Sequence, residues 1–101
     1  MTAKIRRIVL DVLKPHDPSI VELSQRLASL PGVDGVNIMI YEVDRKVENA
    51  KITVEGTDLQ FGAILQTVED SGGVVHSIDE AVAGKVLIED SRTAQDATIF
   101  G

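Results

Sequence analysis

Apolar residues recur along this chain with two different periods, and the switches between them mark out six segments. From Ile5 to Leu13 both parities are largely apolar, with Ile8, Leu10 and Val12 on one side and Val9 and Leu13 beside Arg7 and Asp11 on the other. That pattern suits a central strand covered over most of both faces. Lys14-Pro15-His16-Asp17-Pro18 is a breaker cluster that should end the strand. It opens a helix, either with Asp17 as N-cap before Pro18 or with Ser19 and Glu22 as a capping box. Ile20, Leu23, Leu27 and Leu30 then follow at helical spacing, with Glu22, Gln25 and Arg26 outward, and Pro31-Gly32 stops the helix.

A second strand is expected from Val36 to Val43, a turn at Asp44-Arg45-Lys46, and a third strand from Ala50 to Glu55. In the third, Ile52 and Val54 alternate with Lys51, Thr53 and Glu55, so the two strands form a hairpin. Thr57 or Asp58 caps a second helix that turns Leu59, Phe61, Ile64, Leu65 and Val68 inward and ends at Gly72-Gly73. Val74 to about Asp79 reads as a fourth strand, and Val86-Leu87-Ile88 as a short extra one. Residues 1–91 form one domain on this reading, and 92–101 a flexible C-terminal tail.

Right-handed crossovers applied to β-α-β-β-α-β predict an α+β, ferredoxin-like sandwich. Its antiparallel sheet has the order 4-1-3-2, with both helices on one face. The other face stays open, and Val9, Leu13, Met39, Tyr41, Val43 and Val75 carry the outward parity. An apolar patch of that kind marks an interface. Self-association into an oligomer larger than a dimer is therefore expected, with Val86-Leu87-Ile88 available to a neighbour's strand edge.

Composition narrows the function. Ten basic residues are scattered among sixteen acidic ones, for a net charge of −6. Nucleic-acid binders cluster their Lys and Arg and expose aromatic rings, whereas here there are two Phe, one Tyr and no Trp. Without cysteine there is no thiol nucleophile, disulfide or thiolate metal site. No apolar run approaches a membrane span, so no membrane partner is expected and the cytoplasm is the expected location.

Three stretches, Val-Leu-Asp-Val-Leu-Lys-Pro-His at 9–16, Val-Asp-Gly-Val-Asn at 33–37 and Gly-Gly-Val-Val-His-Ser-Ile-Asp-Glu at 72–80, carry a specific likeness. In them the chain resembles the archaeal family of domain of unknown function 211, over about residues 4 to 90. The resemblance implies a ferredoxin-like fold, an archaeal source and a ring-like homo-oligomer. It implies no activity, and the tail after Ser91 lies outside it.

Candidate chemistry centres on Asp11 and Asp79. The expected pairing of the first and fourth strands sets them opposite each other on the open face, with Asn37 sharing their parity and Glu80 adjacent. Opposed carboxylates are destabilising unless a proton or a cation intervenes. Asp11, Asp79, Glu80 and Asn37 are thus candidate oxygen ligands for a divalent cation such as Ca²⁺. The alternative is neutralisation by Arg7, Lys51 or a neighbouring subunit. His16 and His76 fall at one end of the sheet, where with Asp17 nearby they could hold a transition metal, although a zinc site takes three or four protein ligands and no third is obvious. The alternative is a helix-entry loop histidine and a half-buried strand histidine. Lys14 and His16 at the start of the first helix could instead cradle a small anion. The charge run Glu42 to Glu48 reads as a solvated hairpin tip. Gly72-Gly73 ends a helix rather than opening one, opposite to what a phosphate loop requires.

The function expected from all this is a non-enzymatic homo-oligomer that binds a divalent cation or small molecule at its open face or subunit interface. A protein-interaction scaffold without a ligand is the first alternative. An enzyme acting through Asp11, Asp79 or His76 is the second.

Overall fold

The computed structural model describes residues 2–91, so the expected tail at 92–101 lies outside the described residues. The chain runs β1 (Ile5–Pro15), α1 (Ile20–Ala28), β2 (Val33–Val43), β3 (Val47–Gly56), α2 (Phe61–Asp70) and β4 (Val74–Ala83). All pairings are antiparallel and the strand order is β2-β3-β1-β4. This is the expected ferredoxin-like α+β arrangement.

Period-2 patterning builds the core. Ile8, Leu10 and Val12 of β1 lie beside Ile52 and Val54 of β3, and Leu23 and Leu27 of α1 and Ile64 and Val68 of α2 pack onto them in one buried cluster. Both helices therefore cover the same face. At the centre, truncating Leu10, which has no exposed surface, to alanine should cost about 2–5 kcal/mol.

The ends of the elements depart from the sequence reading for local reasons. Ser19, not Asp17, caps α1, its side chain accepting from the Glu22 N–H at 3.2 Å. Gln60, not Thr57 or Asp58, is the N-cap of α2, and it makes no side-chain cap bond. The position of that helix is held instead by the Leu59 N–H, which donates to the Ile5 carbonyl at 2.9 Å. β1 continues through Pro15, which pairs with Val47 at the strand's last position, where a missing N–H costs least. β2 starts at Val33, following Gly32 in the left-handed region (φ +84). Val86-Leu87-Ile88 forms no strand.

Bulges decide which side chains share a face. The β1–β4 ladder shifts between Ile5 and Arg7, between Val9 and Leu10, and between Asp11 and Val12; the β2–β3 ladder shifts between Val33 and Gly35 and between Ile40 and Glu42. Each extra residue reverses the parity beyond it. Val75 consequently pairs with Val12 and packs on the helix-side core. Val43 pairs with Glu48, again on the helix side. Both leave the outward set expected from alternation. Of that set, Val9 is buried, and Leu13, Met39 and Tyr41 remain exposed.

Candidate functional site

The same shifts reset the expected carboxylate pair. Asp11 stands between Lys51 on β3 and Ser77 on β4, and its partner is not Asp79. Asp79 is the extra residue of a bulge between Ile78 and Glu80, and it accepts a 2.7 Å hydrogen bond from the Ser77 hydroxyl. Asp11 and Asp79 nevertheless line one open cleft on the helix-free face, of about 490 Å³. β1 supplies Val9 and Asp11, β2 Tyr41 and Glu42, β3 Asn49 and Lys51, and β4 Asp79 and Glu80. Asn37, the fourth expected ligand, pairs with Thr53 and lines a separate hollow with Asp34 and Glu55.

Charge in the cleft is partly answered from within the chain. Arg7, from the same face of β1, approaches Glu80 at 3.5 Å, takes Glu55 at 2.6 Å, and meets Glu89 through two 2.9 Å hydrogen bonds. These bonds raise the pKa of Arg7 further above its already high value, chiefly through Glu89, and hold Glu89 below the usual carboxylate range. Glu80 thus has a cation at hand, while Lys51 stands across from Asp11. No group of three or more His, Cys, Asp or Glu side chains among the described residues is arranged to hold a metal ion. Asn49 was not foreseen as a lining residue. Its Oδ1 is buried and has no hydrogen-bond partner among the described residues, an acceptor left available beside the cleft.

At the far end of β1 lies a second polar cluster, on the helix face. Lys14 and Glu48 are cross-strand partners in the β1–β3 ladder, and the lysine side chain has no exposed surface. Its Nζ donates to the Pro15 carbonyl at 2.7 Å and to Glu48 Oε2 at 3.3 Å. Glu48 Oε1 faces His16 Nδ1 at 3.0 Å, and His16 Nε2 faces the Arg45 carbonyl at 3.2 Å. Both partners of the imidazole are acceptors, so the ring satisfies both only when doubly protonated. The pKa of His16 is raised accordingly, first by Glu48, and that of Glu48 is lowered, first by His16.

This geometry changes two expectations. With both ring nitrogens engaged, His16 has no lone pair for a metal, and His76 sits exposed at a bulge in β4. Glu48 is also no part of a solvated hairpin tip, for it is buried. The available signal was its even parity, shared with the core residues Ile52 and Val54.

A family model described as uncharacterized ArCR, domain of unknown function 211, matches residues 6–97, past Ser91 and into the C-terminal segment. An uncharacterized protein of Methanocaldococcus jannaschii is 55% identical over 92 residues, covering 91% of this chain and 95% of that protein. No helix among the described residues is long and apolar enough to cross a membrane.

Proposed function

The chain belongs to the family of domain of unknown function 211, and we propose that it works in the cytoplasm as a non-enzymatic domain that assembles with further copies of itself. The observation that carries this reading is the apolar surface left in water around the sheet. Met39 and Tyr41 are 54% and 59% exposed on the β2 side, and Val74 and Ile78 are 63% and 54% exposed along β4. Val86 and Ile88, just beyond β4, are exposed too. β2 and β4 are also the two edges of the sheet, and no strand among the described residues pairs with their outer backbone groups. A β2 edge meeting a neighbour's β4 edge is a head-to-tail contact, and such contacts generate rings when the rotation closes.

The acidic cleft lies on the helix-free face, with Tyr41 in its wall. A divalent cation held by Asp11, Asp79 or Glu80 would need further oxygens, and an adjoining copy is their natural source. Calcium tolerates such irregular ligation better than magnesium, which requires near-octahedral geometry.

Light scattering on the full chain tests the assembly. The expected mass exceeds that of a dimer and falls towards the monomer in Met39→Lys. A monomer at micromolar concentration would overturn self-association and leave the same surface for a different protein. For the cation, chelator should lower the melting temperature of the wild type but not of Asp11→Asn. Equal melting in calcium and in chelator discards that part alone.

A further inference from the structure

We infer that the cleft between the start of β1 and the segment after β4 binds a small phosphate-bearing ligand, independently of any self-association. Lys4, Arg6 and Lys85 converge on this open cleft of about 470 Å³, and Thr2 and Thr57 add hydroxyls. Among the described residues no carboxylate lines it. None of the ion pairs among the described residues involves any of the three cations. In a chain with sixteen acidic residues against ten basic ones, three cations gathered without a carboxylate are a local exception. Their mutual repulsion is unfavourable until an anion enters.

Arg6 occupies a β1 bulge, and its guanidinium is fixed by the protein itself. Nε donates to the Gly56 carbonyl at 2.9 Å, and Nη1 donates to the carbonyls of Gly84 at 3.3 Å and Lys85 at 2.8 Å. Nη2 makes no hydrogen bond among the described residues. Arg6 is thereby preorganised, while the exposed Lys4 and Lys85 are mobile point charges able to close on a bound group. A tetrahedral phosphate accepts from several directions at once, which suits a fixed fork, two ammonium groups and two hydroxyls better than a planar carboxylate does. The volume suits a small molecule. The net charge of −6 disfavours a long polyanion, but charges beyond a Debye length of about 8–10 Å are screened and do not decide a local site.

The test uses sodium phosphate and pyrophosphate as probes, with sodium chloride at matched ionic strength and sodium acetate as the carboxylate arm. Both phosphate probes should raise the melting temperature of the full chain, pyrophosphate more, and acetate should not. Calorimetric affinity should fall by about tenfold or more in Lys4→Ala/Lys85→Ala, a substitution of exposed side chains that leaves Arg6 and the fold in place. Lys46→Ala, in the β2–β3 turn, should bind as the wild type does. A rise matched by chloride, a rise with acetate equal to that with phosphate, or full binding by the double variant would each overturn the proposal.

Discussion

Lys14 lies directly across the β1–β3 ladder from Glu48, its ammonium 3.3 Å from the carboxylate and its side chain wholly buried. Thirty-four residues apart in sequence, they form a buried ion pair on the face that otherwise carries Val12 and Ala50. Removing one partner of such a pair leaves a charge without compensation. Glu48→Gln should therefore cost about 3–5 kcal/mol. The companion change Lys14→Met in the same background should recover part of that loss. Urea unfolding would check both, through the midpoint at unchanged slope. A single variant with the wild-type midpoint would contradict the role given to the pair.

Stability should also depend on pH through His16 and Glu48. Glu48 titrates below its ordinary 4.5, so its contribution is complete above that value and is lost as pH falls through the lowered one. His16 titrates above its ordinary 6.5, so its contribution is complete below that value and is lost as pH rises through the raised one. Together they are fully present between about pH 4.5 and 6.5. Melting temperature across pH should decline above this window in the wild type, and His16→Gln should flatten that decline. An identical alkaline slope in the variant would refute the assignment.

Arg7 stands among three carboxylates, Glu55, Glu80 and Glu89. Arg7→Met would leave them facing one another, so the melting temperature should drop. Salt should then have opposite effects on the two proteins, because screening weakens attraction in the wild type and repulsion in the variant. Melting at two sodium chloride concentrations gives the answer; parallel shifts would count against the cluster.

Gly56 and Gly32 meet backbone to backbone where β2 begins. A Cβ on Gly56 would lie 1.9 Å from the Gly32 carbonyl oxygen, and one on Gly32 would lie 2.1 Å from the Asp58 carbonyl oxygen. Gly56→Ala should cost at least about 1–3 kcal/mol, the usual range for overpacking. Gly62 in α2 has open space around its Cα, and Gly62→Ala should stabilise by about 0.5–1 kcal/mol. Thermal unfolding of the two variants should move in opposite directions.

Alternation and helical spacing are local properties, and they determined the element order and most of the core; the right-handed crossover rule applied to that order then set the 4-1-3-2 sheet. Ile8, Leu10, Val12, Ile52 and Val54 could be placed on one face because no bulge interrupts the β1–β3 ladder across them. What alternation could not contain was the extra residue in a neighbouring strand. Bulges near Arg6, Tyr41, His76 and Asp79 depend on how two distant strands settle against each other, and nothing in the local pattern announces them. They moved Val43 and Val75 to the helix side, set Ser77 rather than Asp79 across from Asp11, and turned Arg6 towards Gly84 and Lys85. The candidate site was accordingly half legible: Asp11, Asp79 and Glu80 do share a cleft, while Asn37 does not. The buried Lys14–Glu48 pair, Asn49 beside the cleft and the cationic group at Arg6 came only with the tertiary structure. Their partners are fixed by pairing register, and register is settled by the packing of whole strands rather than by any one of them.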